Sequence, residues 1–362
     1  MKKIGMLFPG QGSQELGMGK EFYDKERIVQ ELFEEASNCL DNNLVRLCFA
    51  SSERELRETV NAQTAIFLVS AAIAALLKEK YGVQPDIVAG HSSGQYAALF
   101  AAGGLSFPDA LYLLKKRALF MEEATLMARG TMIAVIGLSH DALTEICAKH
   151  DMPGSLEHVA QVVNYNSSNQ LVVSGIVETL EKVIEDVRVA GGKIIELDVS
   201  GAFHSRLMND AAEKFAQYMV KVDFKDLPIP LVSNLDARPL VSKEDLHESL
   251  QKHMHSPVLW WPSMQHLQDC DVIVVVGPGT IFAKMLRREW PDKEIISINS
   301  QADIERLLQV LGKEVEKHVH GNDCNPEYCA QDELVLAEPV VEANQEQPAL
   351  ESIEASDTKL TD

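Results

Sequence analysis

The chain has 362 residues, 46% of them hydrophobic and 24% charged, with a formal net charge of −21. This length is ample for a buried core and supports one large domain or two or more smaller ones. The acidic balance argues against nucleic acid or an anionic membrane surface as the main partner. The charge is uneven: Asp323–Asp362 holds 11 Asp/Glu against one Lys. That stretch has few large apolar residues with which to offset the entropy of ordering, so 320–362 reads as a disordered acidic tail. The six cysteines (Cys39, Cys48, Cys147, Cys270, Cys324 and Cys329) stand singly, as free thiols of a reducing compartment do. "MKKIGMLFPGQGSQ" has no apolar run of signal-peptide length, and the longest strongly apolar run, "VIVVV" from Val272, is far short of a membrane span. A cytoplasmic protein is expected.

In chain order, "KIGMLFPG" reads as a buried strand stopped by Pro-Gly. A helix around "ELFEEASNCL" follows, then a long apolar helix, "TAIFLVSAAIAALLKEKYG", ended by glycine. "PDIVAGHSSGQYAALFAAG" reads strand, tight turn, helix, and "PDALYLLKKRALFMEEATLM" is a helix with Pro108 and Asp109 at its start. This alternation predicts a parallel sheet covered by helices. From about Thr131 the texture changes. "GTMIAVIGL" is a strand, "SHDALTEICAKH" a helix, "AQVVNYNSSNQLVVSG" a hairpin, "VETLEKVIEDVRVAGG" a helix and "KIIELDV" a strand. The order βαββαβ is the ferredoxin-like pattern. It predicts an inserted subdomain at 129–199 within an α/β core formed by 1–128 and 200–318. The core resumes with a helix after His204, a strand at "PIPLVSN", and strand, turn and helix in "DVIVVVGPGTIFAKMLRR".

Gly90-His91-Ser92-Ser93-Gly94 fits G-x-S-x-G with Ser92 central, between a strand and a helix. The turn must be sharp, which is why glycines flank it. It lifts Ser92 over the strand end, near a helix N-terminus that favours a developing oxyanion. A serine needs a base to act as nucleophile. His91 adjoins Ser92 but is read as structural or orienting. His204, in "DVSGAFHSRLM" where the chain returns to the core, is the better candidate.

Taken together, "FPGQGSQ", "GHSSGQYAALFAAG", "KKRALFMEEA", "NYNSSNQLVVSG", "VSGAFHSRLM", "SPVLWW" and "VVVGPGT" resemble one family. They are similar to the malonyl-CoA:acyl-carrier-protein transacylases and the related acyltransferase domains of polyketide synthases. The resemblance runs in the family's order over about residues 1–300 and implies an α/β-hydrolase-like core.

It further implies ping-pong malonyl transfer from malonyl-CoA to the phosphopantetheine thiol of an acyl carrier protein. Ser92 would be the nucleophile and His204 its base, oriented by the backbone carbonyl of His253, where the bacterial fatty-acid enzyme has Gln. Backbone N–H groups of Gln11 and Ser93 would form the oxyanion hole. Arg117 would clamp the malonyl carboxylate through two parallel hydrogen bonds. Gln63, Asn166 and Phe203 would line the substrate site, the Phe203 ring leaving little space for an α-methyl group. No cofactor is implied, since coenzyme A and phosphopantetheine are substrates. A monomer is expected, and an acidic carrier protein would meet a basic patch drawn from Lys193, Arg206, Arg287 and Arg288. Fatty-acid biosynthesis is the leading role, and a trans-acting polyketide acyltransferase is the alternative. A carrier-protein thioester hydrolase is disfavoured by Arg117, and a non-catalytic scaffold by the intact set of Gln11, Ser92, Arg117 and His204.

Overall fold

A computed structural model describes residues 2–313; the acidic tail, with Cys324 and Cys329, lies outside the described residues. A six-stranded sheet has the order β10 (Glu294–Ile298), β9 (Val272–Val276), β1 (Ile4–Phe8), β2 (Ile87–Gly90), β7 (Leu231–Val232), β8 (Pro239–Leu240). Its central members are β1, β2 and β9, paired in parallel and buried throughout. A strand covered on both faces reads as a continuous apolar run, which is why these three are legible in the sequence. β7 and β10 extend the parallel sheet, and β8 closes it antiparallel. The helix Thr59–Glu79 is long and apolar enough for a membrane span by composition, a match that run-length reading of the sequence missed. Its most apolar window is 89% buried within the fold, so its hydrophobicity is that of a core helix.

The parallel strands all end on the same side of the sheet. Their exits carry Pro9-Gly10-Gln11 after β1, His91-Ser92 after β2 and Ser233-Asn234 after β7. Such an edge is where open α/β sheets build sites.

The second sheet is formed by β3 (Gly130–Ile136), β4 (Ala160–Tyr165), β5 (Gln170–Ile176) and β6 (Lys193–Glu196). It is antiparallel, with the order β4-β5-β3-β6. With helices His140–Ala148 and Val177–Val189, this is the ferredoxin-like arrangement that the sequence order predicts. Ile133, Val135 and Val173 face the two helices, while Met132, Ala134 and Val172 join the main core. β4 is also tied to the loop after His253: Tyr165 N–H donates to the Val258 carbonyl at 3.0 Å, and Val258 N–H to the Val163 carbonyl at 2.7 Å.

Several elements were not read from the sequence, among them β10, the helix Lys243–His253 and the helix Gln301–Leu311. The apolar run of β10 is broken by Glu294 and Ser297, and the helix Lys243–His253 is polar on most of its surface. "PIPLVSN" and "KIIELDV" give shorter strands than expected, of two and four residues.

Candidate active site

Ser92 leaves β2 with φ 52°, in the left-handed region that side chains normally avoid. The turn is packed so closely that a Cβ on Gly90 would lie 2.2 Å from the Gly94 carbonyl carbon, and one on Gly94 would lie 2.3 Å from the Phe8 carbonyl oxygen. Only glycine fits either place, so the G-x-S-x-G spacing here has a steric cause. The helix Gly94–Ala102 starts directly after the turn. The N–H groups of Ser92, Gly94 and Gln95 are bonded internally, whereas those of Gln11 and Ser93 make no hydrogen bond within the described residues.

His204 also holds positive φ, 62°. Its Nε2 lies 2.8 Å from Ser92 Oγ, and its Nδ1 lies 3.0 Å from the His253 carbonyl oxygen. A carbonyl can only accept, so Nδ1 carries the proton and Nε2 offers its lone pair to the serine O–H. This is a Ser–His dyad oriented by a backbone carbonyl. Burial, then the nearby Arg117 charge, pushes the His204 pKa down to about 3. The imidazole is therefore a neutral base throughout the physiological range.

His91 is not part of the dyad. It packs against Trp260 and Phe282, its Nε2 lies 3.3 Å from Asn166 Oδ1, and burial pushes its pKa down to about 4. Both histidines are neutral when folded and titrate normally, near 6.5, when unfolded. The unfolded state thus takes up protons first as pH falls, and stability drops below about pH 6.5. Lowering the pH from 7.5 to 5.0 is expected to cost about 2 kcal/mol for each histidine. Urea unfolding at the two pH values measures this, and equal stabilities would contradict it.

Arg117, in the helix Phe107–Met127, is 1% exposed. Its Nη1 donates to Gln63 Oε1 at 2.7 Å and its Nη2 to Ser92 Oγ at 3.0 Å. Gln63 Nε2 in turn donates to Gln11 Oε1 at 3.0 Å. No carboxylate of the described residues is within ion-pair distance of this guanidinium. A buried cation without a counter-ion is costly, and here it sits beside the nucleophile, poised for an anionic ligand.

The sequence-predicted residues thus converge on one point: Ser92, His204, Arg117, Gln63, Gln11, Ser93 and the His253 carbonyl. Phe203 is buried in the main core beside His204 in the chain. Asn166 Oδ1 lies 3.3 Å from His91 Nε2, and its Nδ2 donates to Gln170 Oε1 at 3.2 Å. Arg206 is a correction: it is fixed by Asp151 and by the carbonyls of Met152, Ser155 and His158, and so is withdrawn from any docking patch.

The acyl transferase domain family matches residues 6–306. A malonyl CoA-acyl carrier protein transacylase of Bacillus subtilis (strain 168) is 38% identical over 317 residues, which is 87% of this chain and 99% of the relative. The chain belongs to the malonyl CoA-acyl carrier protein transacylase family. A member from Staphylococcus aureus (strain MRSA252) is 34% identical, covering 84% of this chain and 98% of its own. The transacylase structure from Coxiella burnetii superposes with TM-score 0.82 at 31% identity, covering 86% of this chain and 98% of that one. A malonyl-transacylase solved in complex with its type II PKS acyl-carrier protein gives TM-score 0.81 at 31% identity, covering 85% and 99%.

Within this family's site, two polar residues escaped the sequence reading. Asn234 Oδ1 accepts the Ser92 N–H at 2.8 Å, and Gln95 Nε2 lies 3.0 Å from His253 Nδ1. Both side chains are fully buried. The only signal for them was a polar residue inside an otherwise apolar stretch, in "GQYAALFAAG" and in "PLVSN".

Proposed function

We propose that the protein transfers a malonyl group from malonyl-CoA to the phosphopantetheine thiol of an acyl carrier protein, for fatty-acid biosynthesis. The observation that carries this reading is the buried, carboxylate-free Arg117 guanidinium 3.0 Å from a serine that is itself bonded to a neutral histidine. An acyl group that ends in a carboxylate is what such a pair accepts.

Ser92 Oγ attacks the thioester carbonyl carbon while His204 Nε2 takes the hydroxyl proton. The carbonyl oxygen becomes an oxyanion held by the N–H groups of Gln11 and Ser93. As the C–S bond breaks, His204 returns the proton to the coenzyme A sulfur and malonyl-Ser92 remains. The carrier thiol then gives its proton to His204, its sulfur attacks the ester, and the C–O bond breaks with the proton going back to Ser92 Oγ. Arg117 holds the malonyl carboxylate throughout, and Gln63 fixes one arm of the guanidinium. Every group is supplied by one chain and no cofactor is needed, so we propose a monomer with coenzyme A and phosphopantetheine as substrates. The carrier would approach a groove of about 360 Å³ between the β4–β5 turn and the helix Ile281–Glu289, where Lys284 and Arg288 face an acidic partner. The free thiols of Cys39, Cys48, Cys147 and Cys270 suit the cytoplasm.

The test is intact-mass spectrometry after mixing with malonyl-CoA and no carrier. One malonyl adduct is expected on the wild-type protein, with none on Ser92→Ala and none from acetyl-CoA. An adduct that survives Ser92→Ala would move the nucleophile elsewhere. Release of coenzyme A without an adduct would favour a hydrolase. Adding holo carrier proteins of fatty-acid and polyketide type one at a time then separates the two roles.

A further inference from the structure

Five hydrogen bonds form a closed ring around the site, in two arms that both lead from Ser92 to His253. Ser92 Oγ bonds His204 Nε2 at 2.8 Å, and His204 Nδ1–H donates to the His253 carbonyl at 3.0 Å. The His253 ring nitrogen Nδ1 accepts from Gln95 Nε2 at 3.0 Å. Gln95 Oε1 accepts the Asn234 N–H at 3.2 Å, and Asn234 Oδ1 accepts the Ser92 N–H at 2.8 Å. Gln95, Asn234 and His253 are at most 1% exposed, so water does not substitute for a missing partner.

The ring also fixes groups that would otherwise be ambiguous. The Asn234 N–H requires the oxygen of the Gln95 amide, so the amide nitrogen faces His253. His253 Nδ1 must then be the bare nitrogen and Nε2 the protonated one. Gln95 thus joins sequence segments 139 and 158 residues away. On one side it holds the Asn234 backbone, whose side chain grips the strained Ser92. On the other it holds the residue whose carbonyl grips the strained His204. Backbone in the left-handed region persists only where its surroundings over-determine it.

We infer that Gln95 is a positioning residue, whose side chain sets the distance between nucleophile and base through Asn234 and His253 while bonding to neither. The inference rests on the acyl-transfer reading above and adds to it a residue that does not contact substrate.

The test compares Gln95→Met with the double variant Gln95→Glu/His253→Gln. Methionine keeps the length and volume of the side chain and removes both bonds. In the double variant the carboxylate accepts from the Asn234 N–H and from the side-chain amide introduced at position 253, so the ring closes again with the same donor and acceptor sense at Asn234. Gln95→Met is expected to lower kcat for malonyl transfer about a hundredfold, the scale of a misplaced reacting pair. KM for malonyl-CoA should stay within about twofold, because Arg117 and Gln63 lie outside the ring. The double variant should regain most of the lost kcat. Nitrogen-15 NMR of histidine-labelled protein gives a readout independent of substrate: His253 should show a bare Nδ1 and His204 a protonated Nδ1, with both signatures lost in Gln95→Met. A Gln95→Met enzyme within threefold of wild type overturns the inference. So does a double variant as slow as Gln95→Met with the same loss of melting temperature, since packing alone would then explain both. If the wild-type protein takes up no malonyl, the transfer reading fails, and the NMR signatures alone decide whether the ring exists.

Discussion

Replacing His204 with alanine should slow acylation of Ser92 by about a thousandfold, within the range that a positioned general base contributes. The reason lies in what surrounds Ser92 Oγ. Its two polar neighbours are His204 Nε2 at 2.8 Å and Arg117 Nη2 at 3.0 Å. The guanidinium donates and cannot accept a proton, so among the described residues the imidazole is the only acceptor bonded to Ser92 Oγ. The shape of the pH profile sharpens the prediction. Wild-type His204 has its pKa pushed down to about 3, so its base form is fully present from pH 5 upward and acylation should be flat there. The variant depends on hydroxide or on spontaneous serine ionisation, so its residual rate should climb about tenfold per pH unit. Single-turnover release of coenzyme A between pH 6 and 9 measures both quantities. A variant within tenfold of wild type, or one with a flat profile, would mean that another group takes the proton.

The parts of the molecule that could be read from the sequence are those where one physical requirement dominates locally. β1, β2 and β9 are buried on both faces and so spell continuous apolar runs. The nucleophile turn is legible because sterics leave glycine alone at 90 and 94. The βαββαβ order follows from alternating periodicity over a single stretch. What stayed hidden depends on partners far away in the chain. Gln95 looks like an ordinary helix residue until its amide is seen to bridge Asn234 and His253. Arg206 looked available on charge alone, but the loop containing Asp151 and three carbonyls consumes it. The bonds of Asn166 to His91 and Gln170 were equally hidden, because nothing local says which way a hairpin asparagine turns. His253 was assigned through its backbone only. Its imidazole became meaningful once Gln95 was found against it.

Arg117→Ala should lower kcat/KM for malonyl-CoA roughly a thousandfold and abolish the preference over acetyl-CoA. In the wild-type site the guanidinium is buried with no carboxylate of its own, so a malonyl carboxylate supplies the missing partner. Breaking such a buried pair costs about 4 kcal/mol, and each 1.4 kcal/mol is tenfold in rate. Acetyl behaves in the opposite sense. In the wild-type site it leaves the cation buried and unpaired, and in the variant that penalty disappears, so its kcat/KM should hold or rise. The ratio of the two constants separates charge recognition from the other role of Arg117, since its 3.0 Å bond to Ser92 Oγ is lost equally for both substrates. Arg117→Lys tests the geometry. It keeps the charge but cannot make two parallel bonds while also reaching Gln63 Oε1 and Ser92 Oγ. It should therefore retain malonyl preference at a rate well below wild type. An alanine variant that still prefers malonyl-CoA by the wild-type ratio would show that the carboxylate is read by another group.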